Sequence, residues 1–381
     1  MDYPSQKMTS EAKTPATSSQ TFAAEDETTR QLTLIWRELL GVASIGPDEN
    51  YFDLGGDSIL AVQLFAQIEH TLGAKLPLAT LFDAPTIRDL ARVVRSEAPT
   101  SSWSSLVPIQ PHGSRLPFFC MHGAGGNVMI YRNLARHLGT DQPFYGLQAQ
   151  GLDGQTNSMT TIEDMAMVYV KEIQRLREHG PYLLGGYCGG GTIAYEVAQQ
   201  LRSKGEEVAL LALFDSMNWS KISRRSFWAM TYMYAERLLF HAANLCRLDS
   251  RSRSEFMRDK FMTLRHRIPV WRGMLLAGLG RRPGSARSES ELLGRIWQAN
   301  DRACEEYVPK PYPGVVTDFR PLAQYRRLSA PGAKWGELAL SGQEVIILPV
   351  YPAGMLAEPF VKHLAAALKK CLDRTTGQIS S

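Results

Sequence analysis

The chemistry of this chain gathers at two short glycine-rich stretches. Gly186-Tyr187-Cys188-Gly189-Gly190 directly follows the apolar run Tyr182-Leu183-Leu184. A Gly-x-nucleophile-x-Gly spacing after a strand makes a tight strand-to-helix turn that lifts the nucleophile above the sheet and aims a helix N-terminus at it. Here that position holds a thiol, which is partly ionised near neutral pH and whose pKa a helix terminus lowers further. The second stretch, Asp53-Leu54-Gly55-Gly56-Asp57-Ser58, leads into Ile59, Val62, Leu64, Phe65 and Ile68 at helical spacing. Ser58 therefore stands at a helix N-terminus, where Ser58 or Asp57 either caps the helix, the commonest job of such residues, or is presented for chemistry.

The elements around these stretches indicate a multidomain chain. At 381 residues, two domains are the expectation. Residues 1–28, polar and rich in Ser, Thr and Ala, read as a disordered leader without the apolar segment of a secretory signal. Residues 29–97 have the period of a small all-α domain. Leu32, Ile35, Trp36, Leu39 and Leu40 form its first helix, stopped at Gly41; the helix after Ser58 stops at Gly73; short helices follow around Leu81-Phe82 and Ile87–Leu90. Residues 98–106 are polar and small and read as a linker.

From residue 107 to 372 strand and helix patterns alternate, which favours a mostly parallel sheet covered on both faces. Strands are expected at Leu116–Met121, Phe144–Leu147, Tyr182–Leu184 and Val208–Phe214, with helices around Tyr131–Leu138, Ile162–Leu176 and from Thr192. His122, Cys188 and Asp215 each stand immediately after a strand, at the carboxyl edge where such sheets gather function. Backbone N–H groups of Ala124 and Gly189 can then form an oxyanion hole. His122 falls on the oxyanion side and reads as a residue that shapes its loop. Residues 217–310 form a basic, aromatic, helical insertion, and 373–381 a tail.

Phe52-Asp53-Leu54-Gly55-Gly56-Asp57-Ser58-Ile59, with Leu81-Phe82 and Thr86-Ile87, resembles the peptidyl carrier proteins of nonribosomal peptide synthetases. In that family the serine matched by Ser58 carries a covalent 4′-phosphopantetheine arm, whose thiol holds an aminoacyl or peptidyl thioester. A phosphodiester there would lie at the positive end of a helix. The second domain resembles the type I thioesterases of the same synthetases, an α/β-hydrolase family. Pro117-Phe118-Phe119 with His122–Gly126, Gly186–Gly190 with Ala194-Tyr195-Glu196, Phe214-Asp215-Ser216, Tyr312–Val316, Trp335-Gly336, and Met355-Leu356 with Glu358-Pro359 carry the likeness. The resemblance implies a helical lid at about 217–310, Cys188 as nucleophile and Asp215 as acid. It also implies a catalytic histidine three positions before the Met-Leu pair, but Pro352 stands there. His363, inside the C-terminal helix pattern, reads as a surface or packing residue, so the base is unassigned.

A thiolate exchanges with a thioester with little base assistance, whereas water is a poor nucleophile without one. The expected function is therefore a carrier–thioesterase that takes an aminoacyl or peptidyl group onto Cys188 and passes it to an amine or thiol acceptor, or closes a ring. The alternatives are ordinary hydrolytic chain release, a catalytically degenerate carrier or docking protein, and an aminoacyl shuttle between carriers. The resemblance implies a phosphopantetheinyl transferase and trans-acting adenylation or other synthetase modules as partners. A net charge of +4 argues against nucleic acid, and no apolar run reaches a membrane span. Five cysteines without paired or metal-site spacing suit a reduced, cytoplasmic protein with no metal.

Overall fold

The structure, a computed structural model, describes residues 18–56, 58–96, 104–152, 159–219, 250, 253, 254, 257, 287–322, 335–350 and 354–379. They divide into two units. In the first, α1 (Ser18–Leu40), α2 (Ser58–Leu72) from Gln63 onward, α3 (Thr80–Asp83) and α4 (Ile87–Arg95) form a small all-helical domain. Of the expected stripe, Leu32, Ile35, Trp36 and Leu40 are buried and Leu39 is half-buried, and α1 stops at Gly41, whose φ of 67° suits only glycine comfortably. The helix starts at Ser18, so residues 18–28 are not the disordered leader expected of them. Their Ala and Glu content favours helix, and Glu27 accepts hydrogen bonds from Arg30 and Gln31 one turn on. Residues 1–17 lie outside the described range.

The loop before α2 is held by its aromatic residues. Trp36 and Tyr51 meet edge to face at 5.3 Å, and Phe52 stacks on Phe82 at 6.0 Å. The Tyr51 N–H donates to the Pro85 carbonyl at 2.8 Å. Thr86 caps α4 by accepting from the Asp89 N–H, and Arg88 pairs with Asp48 across the loop.

The second unit is a seven-stranded sheet in the order β1-β3-β2-β4-β5-β6-β7. Its strands are β1 (Leu106–Gln110), β2 (Phe118–Met121), β3 (Phe144–Leu147), β4 (Tyr182–Tyr187), β5 (Val208–Phe214), β6 (Val316–Pro321) and β7 (Gln343–Leu348). Every neighbouring pair is parallel except β1 and β3. Strand β1 was not expected, because Pro108 sits inside it. Proline is tolerated there because β1 is an edge strand with a bulge between Pro108 and Gln110.

The helices of this unit are α5 (Arg132–Leu138), α6 (Ile162–Leu176), α7 (Gly189–Ser203), α8 (Arg287–Glu306) and α9 (Val361–Ile379). Helices α6 and α7 bury Met165, Tyr169, Ile173, Ile193, Val197 and Leu201 against Phe119, Met121, Leu184 and Leu213. Alternate residues reach the other face of the sheet. There Phe118 meets Phe144 and Phe214, and Phe214 meets Phe319, with centroids 5.4 to 6.4 Å apart. Burying each such ring contributes roughly 2 to 3 kcal/mol. Helix α9 runs to Ile379 with Cys371, Leu372 and Thr375 buried, so 373–379 continue a packed helix instead of forming a tail. Most of the expected lid, 217–310, lies outside the described residues. Its C-terminal part is α8.

Candidate active site

Strand β4 ends at Tyr187, α7 begins at Gly189, and Cys188 between them has φ 55° and ψ −119°. A non-glycine residue in this region costs on the order of 1 kcal/mol or more and persists only where its surroundings hold it. The Cys188 N–H donates to the Phe214 carbonyl at 2.9 Å, and its carbonyl accepts from the Gly191 N–H at 3.1 Å. The glycines around it are required by space. A Cβ on Gly186 would lie 2.1 Å from the Gly190 carbonyl oxygen, one on Gly190 would lie 2.4 Å from the Met121 oxygen, and one on Gly191 would meet Ser216 at 2.4 Å. These close approaches join three loops at one place: the elbow, the loop after β2 and the loop after β5.

Asp215 shares the strain of Cys188. It has φ 44°, and these two are the only non-glycine residues at positive φ among the described residues. Its N–H is tied to the Phe319 carbonyl at 2.9 Å. Burial, reinforced by the Asp318 carboxylate, pushes its carboxyl up to about 7. Asp318 is itself buried and engaged: Arg320 Nε donates to its Oδ2 at 2.7 Å and Gln343 Nε2 at 2.9 Å.

On the opposite side, Gly123-Ala124-Gly125-Gly126 forms a turn closed by the Gly126 N–H on the Gly123 carbonyl at 2.9 Å. His122 is fully buried beneath it. Its Nδ1–H donates to the Gly123 carbonyl at 2.7 Å and its Nε2 accepts from the Tyr169 hydroxyl at 2.8 Å. Burial lowers its pKa to about 4, so the ring is neutral and both nitrogens are spent. In a trans peptide the N–H opposes the C=O, so gripping the Gly123 carbonyl turns the Ala124 N–H away from His122. Among the described residues neither the Ala124 nor the Gly189 N–H has a protein acceptor. The remaining imidazoles with described partners are bonded elsewhere, His137 to Glu358 and His179 to Glu206. His363 lies in α9, as expected, while Pro352, His241 and His266 lie outside the described residues.

Sequence reasoning missed Tyr131. Its buried hydroxyl donates to the Met121 carbonyl at 2.5 Å and accepts from the Tyr187 N–H at 3.0 Å, clamping the ends of β2 and β4 together. Helix α8, within the expected lid range, packs over the loop after β2, with Ile296 and Trp297 against Gly126 and Gly125.

Ser58 is the first residue of the 15-residue helix α2. The turn before it contains Gly55 at φ 92° with open space where a Cβ would be, and Gly56 packed against the Tyr51 ring. A long helix's N-terminus favours an attached phosphate, and the open turn leaves room beside it. These residues fit a phosphopantetheine arm.

An open, mostly parallel sheet with a strained elbow after a central strand defines an α/β-hydrolase-type domain, here following a helical carrier domain. Comparison with known proteins gives the particular kinds. Residues 116–264 match the family model of the thioesterase domain, and residues 30–94 match that of the phosphopantetheine attachment site. Malpinin synthetase from Mortierella alpina is 42% identical over 210 residues, covering 53% of this chain and 3% of that protein. A dimodular nonribosomal peptide synthase from Bacillus subtilis (strain 168) is 40% identical over 182 residues, covering 48% of this chain and 8% of that protein. The chain thus spans only a small part of the length of these relatives. A solved four-domain nonribosomal peptide synthetase, bound to AMP and glycine, shares the fold at TM-score 0.55 and 22% identity, over 97% of this chain and 27% of that one. The chain thus holds a segment similar to phosphopantetheine attachment sites followed by one similar to thioesterase domains, both homologous to parts of nonribosomal peptide synthetases, and the first of these matches implies a covalently attached 4′-phosphopantetheine. Among the described residues no helix is long and apolar enough to cross a membrane.

Proposed function

We propose that Cys188 takes an aminoacyl or peptidyl group from a carrier-held thioester and passes it to an amine or thiol acceptor, or closes a ring, with Ser58 as the attachment point of the arm. The arm, when attached, supplies a thiol that holds the acyl group. Cys188 attacks the thioester carbonyl as thiolate; a new carbon–sulfur bond forms, the old one breaks, and the departing thiolate takes up a proton from solvent. Ala124 and Gly189 N–H groups hold the carbonyl oxygen as it gains charge. In the second half the acceptor attacks the Cys188 thioester and releases the Cys188 thiolate.

The observation that carries this reading is the strained Cys188 elbow, against which the loop after β2 packs closely, together with two N–H groups, of Ala124 and Gly189, that have no protein acceptor among the described residues. His122 is neutral and fully engaged, so it does not deliver water as a base. Asp215, with a carboxyl near 7, holds its proton about half the time at neutral pH and is available to relay one at the acceptor. The test loads the carrier with an aminoacyl-phosphopantetheine and follows intact mass. Acyl mass moving to Cys188 and then to an added amine or thiol supports transfer. Rapid release of free acid, abolished in Cys188→Ala, supports hydrolytic chain release instead. Cargo confined to Ser58 makes the chain a passive carrier.

A further inference from the structure

Helix α8 meets the loop after β2 and the elbow along one buried stripe. Ile296 packs on Gly126, Asn300 Nδ2 donates to the Ala124 carbonyl at 2.9 Å, and Cys304 places its Sγ 3.9 Å from the Gly189 carbonyl. All three are buried. Trp297, beside Ile296, stands at the edge of the stripe and is 54% exposed, whereas Trp36 and Trp335 are wholly buried, as suits a large apolar ring. Its orientation is fixed all the same. The indole Nε1–H donates to Asp301 Oδ2 at 2.9 Å one turn on, and the ring lies against Gly125.

A Cβ on Gly125 would stand 3.6 Å from the Trp297 ring and 3.8 Å from Asn127 Nδ2. The bare Cα of Gly125 therefore borders a small space lined by an apolar ring and an amide. Asn127 is held as well, because its Oδ1 accepts from the Met129 N–H at 3.3 Å. That bond commits the oxygen and leaves Nδ2 as a donor with no protein acceptor among the described residues. Ala124, Gly125 and Asn127 are all partly exposed, so the space is open to solvent beside the residue proposed to supply one oxyanion donor.

The distance to the elbow says what can fill this space. Trp297 and Cys304 stand two turns apart on α8, about 10 Å, and Cys304 marks the elbow. An extended peptide gains about 3.4 Å per residue. A single aminoacyl group on Cys188 falls short of the indole, and its one carbonyl is already in the oxyanion hole. A chain of three residues brings its third side chain to the indole and offers further carbonyls to Asn127.

We infer that Trp297 and Asn127 form a cargo subsite beside the oxyanion turn, which takes an apolar third residue of a peptidyl thioester and donates a hydrogen bond to its backbone. This rests on the proposed role of Cys188 as acyl acceptor, and it narrows the cargo from aminoacyl or peptidyl to peptidyl. Both residues touch the cargo away from the reacting carbonyl, so they act on selection.

The test uses N-acetylcysteamine thioesters, which lack most of the pantetheine arm, so that any preference belongs to the cargo. Single-turnover acylation of the full chain, read as acyl mass on the Cys188 peptide, is compared for alanyl, tri-alanyl and Leu-Ala-Ala thioesters, the last with leucine third from the sulfur. Wild type should take Leu-Ala-Ala about tenfold better than tri-alanine, the scale of one apolar side chain in an apolar site. Trp297→Ala should abolish that preference through the half-saturating concentration, and Trp297→Phe should keep part of it. Asn127→Asp, which keeps the acceptor for the Met129 N–H but not the donor, should lower both tripeptides relative to alanine about fivefold. A wild type indifferent to the third residue, a preference that survives Trp297→Ala, or equal slowing of all three thioesters in the variants overturns the inference and leaves Cys188 as acyl acceptor. No acylation of the wild-type chain by any of the three, with Cys188 still alkylated by iodoacetamide, would overturn the proposed function and the inference with it.

Discussion

The two glycine-rich stretches use glycine for different reasons. Before Ser58, Gly55 has φ 92° and open space around its missing Cβ, so it is needed for its backbone angle alone. Around Cys188, Gly186, Gly190 and Gly191 have no positive φ, but each lies where a Cβ would come within 2.1 to 2.4 Å of other atoms. The residue at positive φ there is Cys188 itself. One site is an open turn at a helix end, suited to approach by a modifying enzyme. The other is over-determined: strain sits on the reacting residue, and the glycines let three loops press close enough to hold it.

The contrast can be broken most sharply at Gly186. Gly186→Ala drives a methyl into backbone, which cannot step aside as a flexible side chain can. We expect a loss of about 4 kcal/mol or more in thermal or denaturant unfolding, together with loss of Cys188 acylation. Next in size, Cys188→Ser keeps the elbow and replaces the thiol by an alcohol that needs a base. Acyl transfer should fall by about 10³-fold, roughly 4 kcal/mol in the barrier, measured by intact mass after carrier loading. Retention of full rate would reveal a base serving the elbow.

Asp215 gives a smaller effect with a definite pH signature. Its carboxyl holds its proton to about 7 in the folded chain, against 3.8 for an ordinary aspartate. Between these values the folded chain keeps a proton that the unfolded chain has lost, so wild-type stability declines as pH rises through that window and levels off above it. Asp215→Asn removes the decline. The variant should gain stability relative to wild type progressively from about pH 4 to 7, seen as a Tm difference that grows with pH. A constant difference would remove burial as the cause. The smallest effect belongs to the open turn. Gly55→Ala places a side chain at positive φ without a clash and should cost about 1 kcal/mol, with the arm still attached by a transferase, as read by mass. Loss of attachment would show that the turn's shape, and not only its openness, is recognised.

How much of this was legible in the sequence follows from what fixes each part. The elbow could be read because close backbone approach requires glycine at particular spacings, and the parallel core could be read because buried strands are continuous apolar runs such as Val208–Phe214. Strand β1 was hidden because Pro108 speaks against a strand unless the strand is known to lie at an edge. The early start of α1 was hidden because a polar Ser, Thr and Ala composition suits helix and leader alike. Tyr131 and Asn300 act through hydrogen bonds to backbone 10, 56 and 176 residues away, and such partners leave no local pattern. The base was legible only as a departure, Pro352, and that position lies outside the described residues.

The cysteines carry a practical consequence. Of the four described, Cys120, Cys304 and Cys371 are buried, while Cys188 alone is partly exposed. Burial holds the Cys120 and Cys304 thiols well above the ordinary range, and for Cys304 the neighbouring Cys188 adds to this. At neutral pH these thiols stay protonated and silent towards electrophiles. In a Cys246→Ala, Ser58→Ala background, which carries no arm thiol, one equivalent of thiol reagent consumed per chain would therefore count vacant elbows, and a stoichiometry below one would report directly the fraction already holding an acyl group.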